Sequence, residues 1–334
     1  MVCSSTGDNG DATYLLCLLK QIPNGPHTLS LRSSKWTKAK DDEGVQRLFT
    51  NLQRLVRLQP YIRDIDLIGQ DDPVDWRSEG FRERHFSPGE TLMQAHLNHL
   101  IAKHGIGRDF TAKEPWLFSV EPSAVSKGRV VINRTSRYRN DRFPWTEVVA
   151  HYGSRLLFIG LEHEWREFVN AHGYVSHHPT ADLLEMAQVI KGSDLFIGNQ
   201  SCAYALCEGM KHNSIQESNL ELPDCIYVRP NASYVADGVV TLPDGTVLRG
   251  KRPPVVKKTH VTPPGGGWLF AGYPPFPVFE LLVKEVAQRE KLSIEEAGDR
   301  VYSSNVERCP NFFADRGDVM KFHRFQQALE NYRP

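Results

Sequence analysis

From residue 129 onward, apolar positions fall into short β-branched runs separated by stretches with helical spacing. Residues 129–133 (RVVIN), 155–160 (RLLFIG), 194–198 (DLFIG) and 225–228 (CIYV) predict buried strands, and 174–176 a shorter one. Between and after them, residues 144–152, 163–171, 181–191 and 201–211 carry helical spacing, the first with proline in its opening turn. Strands that alternate with helices across short turns predict a parallel sheet with right-handed crossovers. The pattern therefore predicts a Rossmann-like domain over about residues 124–230.

The pattern before residue 124 is fainter. Residues 12–21, with Leu15, Leu16, Leu18 and Leu19, predict a helix that Pro23-Asn24-Gly25-Pro26 ends. Residues 27–31 and 62–68 read as strands, and 116–120 as a further one. Residues 45–58 form an amphipathic helix, with Leu48, Phe49, Leu52, Leu55 and Val56 on one side and Arg47, Arg54 and Arg57 on the other. Such a helix docks on a sheet or lies on a membrane surface, and the first is the expectation. Residues 89–104 read as helical. After residue 230, residues 239–248 predict a hairpin around Pro243-Asp244-Gly245. A Pro- and Gly-rich stretch follows, then helices at 276–290 and 293–300, the latter opening on a capping box at Ser293 and Glu296. The expected divisions are 1–123, 124–230 and 231–334.

Composition narrows the function classes. Lys plus Arg balances Asp plus Glu, 40 against 40, so the chain lacks the basic excess of a protein that coats nucleic acid. The six cysteines form no C-x-x-C pair and read as reduced thiols of a cytoplasmic protein. No apolar run approaches the ~20 residues of a membrane span. The N-terminus lacks the pattern of a signal peptide, so the N-x-S/T matches at Asn133, Asn199 and Asn231 are expected to be unused.

Three segments carry candidate chemistry. In the first, Gly7-Asp8-Asn9-Gly10-Asp11 precedes a helix. Its glycines permit close backbone approach to a ligand, and the helix start offers N–H groups and the positive dipole end. Asp11 is a helix cap or a functional carboxylate. The second follows the strand at 129–133. There Arg134, Thr135, Arg137, Arg139 and Asn140 lie beyond a strand's carboxyl end, where αβ sheets bind ligands, and guanidinium groups suit a diphosphate. The third is Gly198-Asn199-Gln200-Ser201, a glycine turn and an N-cap that would aim amides at a phosphate. Glu162 and Glu217 are candidates for ribose hydroxyls or are surface carboxylates. Asp64-Ile65-Asp66 and His177-His178 are the possible metal motifs. The first opens a strand and the second alternates sides, so no metal site is expected.

These segments together resemble the GT-B glycosyltransferases of the ADP-heptose:lipopolysaccharide heptosyltransferase type. Gly10-Asp11 matches that family's glycine-loop pair, and residues 196–212 (FIGNQSCAYALCEGMKH) resemble its donor-binding strand, turn and helix. Gly198 and Ser201 keep the motif. Gln200, Cys202 and Ala205 stand where Asp, Gly and His are usual. The resemblance covers the N-terminal loop and residues 128–230.

It implies two Rossmann-like domains facing across a cleft, with a loop-rich C-terminal extension. It also implies inverting, metal-independent sugar transfer from a nucleoside-diphosphate donor, without a cofactor and with Asp11 as base. Domain closure would exclude water. A glycan, a small molecule or a modified DNA base is the acceptor, with basic stretches at 32–40 and 251–258 available to phosphates. A nucleotide-sugar epimerase and an inert nucleotide-sugar-binding protein are the competing functions.

Overall fold

The computed structural model describes residues 1–5, 9–33, 41–83, 91–105, 110–219, 225–236, 238–250, 287–288, 291–293 and 296–297. The first half builds a parallel sheet from β1 (Val2–Ser5), β2 (His27–Leu31), β3 (Ile62–Leu67) and β4 (Trp76–Arg77), in the order β3-β2-β1-β4. Its helices are α1 (Asn9–Gln21), α2 (Asp42–Arg57) and α3 (Leu92–His104). A connector over 110–129 leads to the second half.

There β5 (Val130–Asn133), α4 (Trp145–Tyr152), β6 (Leu156–Ile159), α5 (Glu162–His172), β7 (Ser176–His178), α6 (Leu183–Gly192), β8 (Leu195–Asn199), α7 (Cys202–Met210), β9 (Ser214–Glu217) and β10 (Ala232–Val235) follow in turn. The strands form one parallel sheet, ordered β10-β9-β8-β5-β6-β7. This is the doubly wound Rossmann order, and it reverses between β5 and β8. The sheet thus continues past residue 230 through β10. The predicted hairpin is β11 (Val239–Thr241) paired with β12 (Val247–Arg249), and Val240 and Leu242 pack into the same core as β10.

Three expected strands differ, each for a physical reason. Residues 116–120 join no ladder. The amides of Trp116 and Leu117 both donate to the Gly209 carbonyl at the end of α7, and the Trp116 indole donates to the Thr13 carbonyl at 2.9 Å. Their burial comes from filling the seam between the halves. Residues 225–228 also join no ladder; Cys225, Ile226 and Tyr227 are buried and Val228 is exposed. The strand 174–176 begins two residues later, leaving Tyr174 exposed. Sequence reading missed β9 because its residues, Ser214-Ile215-Gln216-Glu217, are mostly polar. All four are buried nonetheless, with their polar atoms bonded internally. The capping box is present, with the Glu296 amide donating to Ser293 Oγ and the Ser293 amide to Glu296 Oε2. Of the two expected C-terminal helices, residues 287–288 and 296–297 are helical and the others, apart from Ser293, lie outside the described residues.

Helix α1 sits at the centre. Asp11 through Leu19 are buried without interruption, as expected of a helix that is apolar all round. It shares one apolar core with the first sheet and packs along α7 and α3, while α2 packs on α6. Tyr14 bridges the halves, its ring 5.0 Å from that of Tyr227 and 6.2 Å from that of Trp116. A continuous apolar core therefore runs from the first sheet through α1 into α6 and α7. The α2 arginines pair on the surface, Arg47 with Glu43, Arg54 with Asp182 and Arg57 with Asp64. No described helix is long and apolar enough to cross a membrane.

Candidate functional site

The carboxyl ends of β5 and β8 flank the reversal of strand order, the place where ligands enter such sheets. At this point a Cβ on Gly198 would stand 2.8 Å from the Asn133 carbonyl oxygen. Gly198 therefore serves close approach of two strands rather than a turn. The side chain of Ser201 accepts from the Tyr204 amide as N-cap of α7 and donates to Asn133 Oδ1 at 2.8 Å. Asn133 in turn donates to the Ile159 carbonyl at 2.8 Å.

Asn199 organises the arginine loop. Its carboxamide accepts from the Thr135 amide and donates to the Thr135 and Arg137 carbonyls. Tyr138 takes a left-handed φ of 55°, tightening the bend. The loop's residues do not act alike. Arg137 is exposed, its guanidinium 5.3 Å from the Tyr138 ring centroid. Arg139 donates to the Thr135 carbonyl and pairs with Glu167.

Arg134 and Glu217, candidates for diphosphate and for ribose, are bound to each other. Arg134 Nε and Nη2 donate to the Glu217 carboxylate at 2.9 Å, and Glu217 also accepts from the Asn140 amide at 2.6 Å and the Trp145 indole at 2.8 Å. Glu217 is wholly buried, so a bare charge there would be costly, and this ring of donors compensates it. Asn140 spans to the carbonyls of Ser218, Val235 and Ala236, so its role is also to hold β9 and β10. His172 lies 3.3 Å from Arg134 Nη1; burial and the Arg134 charge push its pKa down to about 4. Gln200 is buried and accepts from the Asn219 amide. Glu162 opens α5 on an exposed face, paired with Arg166.

The first half contributes from the other side. Asn9, Gly10 and Asp11 form the opening turn of α1, with Gly10 helical rather than in a turn. Gly7 lies outside the described residues. A Cβ on Gly10 would stand 3.7 Å from Cys202 Cα, so the N-termini of α1 and α7 meet. Asp11 is buried, and Arg82 grips it with both nitrogens, Nε to Oδ2 at 2.8 Å and Nη2 to Oδ1 at 2.6 Å. Arg82 had no sequence signal beyond a charged run after β4.

Beside it, the Phe81 ring stacks on His96 at 3.7 Å, and His96 Nδ1 lies 2.7 Å from Ser78 Oγ. Burial, then the Arg82 charge, lowers the His96 pKa to about 3, so this ring is neutral. Arg32 is buried against the Gln70 and Asp72 carbonyls and Glu79, which removes it from the expected basic surface stretch. The remaining residues of that stretch beyond Ser33, and those of 251–258, lie outside the described residues.

The possible metal motifs stay apart. Asp64 pairs with Arg57, His177 Nε2 lies 3.0 Å from the Gly160 carbonyl, and His178 faces Glu185. Among the described residues no three His, Cys, Asp or Glu side chains cluster as metal ligands.

No family model matches the chain, and no curated protein matches it in sequence. Its fold is similar to solved glycosyltransferases. A family 9 glycosyl transferase from Veillonella parvula aligns at 12% identity over 70% of this chain and 84% of that one, with a TM-score of 0.47. The E. coli heptosyltransferase WaaC with ADP aligns at 11% identity over 70% and 92%, with a TM-score of 0.49. E. coli ADP-heptose lps heptosyltransferase II aligns at 9% identity over 73% and 91%, with a TM-score of 0.44.

Proposed function

We propose that this protein is a glycosyltransferase that moves a sugar from a nucleoside-diphosphate donor to an acceptor hydroxyl, with inversion and without a resident metal. The observation that carries the reading is the meeting of the α1 and α7 N-termini at the strand-order reversal. It sets a buried carboxylate, Asp11, beside the end of a helix suited to anions. In the reaction Asp11 takes the proton of the acceptor hydroxyl, whose oxygen attacks the anomeric carbon. The bond from that carbon to the diphosphate breaks, and the leaving charge falls to the first-turn amides of α7 and to Arg137. The apolar seam around α1 favours a site preformed between fixed halves over one assembled by domain closure.

Titration calorimetry against ADP, UDP and GDP and their hexose and heptose conjugates tests the binding half of this reading. Release of nucleoside diphosphate from the bound conjugate, in wild type and Asp11→Asn, tests the chemical half. Tight binding with release lost in Asp11→Asn is the expected result. Absence of binding to every member of the panel defeats the reading. A second reading, nucleotide-sugar binding without transfer, draws on the hold of Arg82 on Asp11. It expects binding with no release in either protein.

A further inference from the structure

We propose that Arg82 is a positioning residue for this transfer, holding the Asp11 carboxylate in the orientation from which it takes the acceptor proton. The inference rests on the reading of Asp11 as base. Three features carry it: the bidentate geometry, the unequal burial of the partners, and the anchoring of Arg82 to the first sheet.

A single hydrogen bond leaves a carboxylate free to rotate about its Cβ–Cγ bond, whereas a two-point guanidinium grip fixes its plane. Each carboxylate oxygen carries two lone pairs, and this grip takes one on each. Asp11 is 4% exposed and Arg82 32%, so the guanidinium forms the solvent side of the pair.

Arg82 is itself held. Its guanidinium lies 5.1 Å from the Phe81 ring centroid, and that ring stacks on His96. The Phe81 amide donates to the Ser78 carbonyl, and the Ser78 amide donates to the Ser4 carbonyl of β1 at 3.0 Å. A run of contacts therefore ties the Asp11 carboxylate to β1, the interior strand that precedes α1. The neutral His96 ring adds no competing cation beside the pair.

The test uses the full chain and the nucleotide sugar of the panel with the fastest nucleoside-diphosphate release. Arg82→Ala is expected to lower kcat about 100-fold, the scale of a misaligned reacting group, with the donor KM within about twofold of wild type. Arg82→Lys restores part of kcat, and guanidinium ion at millimolar concentration restores part of it in Arg82→Ala but not in Asp11→Asn. Adding Arg82→Ala to Asp11→Asn costs nothing further, because both act through one carboxylate.

Circular dichroism checks the fold of each variant, with Arg82→Gln replacing Arg82→Ala if the smaller side chain unfolds the protein. Wild-type kcat in a folded Arg82 variant, alongside an inactive Asp11→Asn, overturns the role of Arg82 and leaves the transfer reading standing. Normal release in Asp11→Asn instead removes Asp11 as base, and this inference with it.

Discussion

Each half of the molecule sets an arginine–carboxylate pair at the carboxyl ends of its strands, and the two are built for different ends. Glu217 is wholly buried, and Arg134 is nearly so. The carboxylate is ringed by a guanidinium, an amide and an indole, and it joins β5, β9 and α4. The Asp11–Arg82 pair has one buried member and one open to solvent, and it stands where two helix N-termini meet. In each half burial, and after it the arginine's charge, holds a neighbouring histidine neutral, His172 in one half and His96 in the other. The lesson is that charged residues at a strand's carboxyl end can be committed to each other within the fold. The surroundings of the pair decide whether its charge is spent on architecture or is available to chemistry.

The sharpest way to break this comparison is to neutralise each carboxylate in turn. Asp11→Asn is expected to reduce nucleoside-diphosphate release by about 10²–10⁴-fold, the range of a lost general base, with the melting temperature nearly kept. Glu217→Gln is expected to do the reverse, costing about 3–5 kcal/mol of stability because Arg134 loses its buried partner. Denaturant titration and turnover on both variants check the pair of outcomes. Equal stability losses in the two variants would erase the distinction.

The histidines give a smaller effect. In the unfolded chain they bind protons near pH 6.5, whereas the folded protein holds His96 neutral to about 3 and His172 and His212 to about 4. The unfolded state therefore binds more protons across that window. Stability falls as pH drops from about 6.5 towards 4 and levels off below the folded values. Removing His96 by His96→Gln should lower the slope by at most about 1.4 kcal/mol per pH unit, the limit for one fully linked group. Unfolding curves at pH 7, 6, 5 and 4 measure it, and an unchanged slope would contradict the neutral ring.

Ser201→Ala gives the smallest change. The lost N-cap costs about 1 kcal/mol, and donor affinity falls only as far as the α7 start frays. Calorimetry on the variant separates the two effects.

Sequence reading recovered the alternation of the second half because β-branched runs such as VVIN and LLFI bury both faces of a strand. It failed at β9, where Gln216 and Glu217 are core residues made tolerable by partners far along the chain. Hydrophobic pattern cannot reveal such partners. The same limit explains the site. Ser201 was legible as a helix cap, since capping is local, whereas Asp11 lies within the first turn of α1 rather than at its cap. The commitment of Arg134 to Glu217 and the grip of Arg82 on Asp11 span 83 and 71 residues, beyond any local motif. The pairing of Trp116 and Leu117 with Gly209 was hidden for that reason too. A Cβ on Gly209 would stand 2.7 Å from the Leu117 side chain, a constraint invisible until the two meet.

The burial of α1 on every side also bears on how the protein is made. A chain synthesised from its N-terminus releases Asn9–Gln21 early, yet the cover over its second face, Cys202–Met210, emerges far later. Throughout that interval the leucines and tyrosine of α1 have the first sheet on one side and water or a chaperone on the other. Nascent chains stalled before residue 202 should therefore be aggregation-prone and chaperone-bound, and those extended beyond α7 should be released.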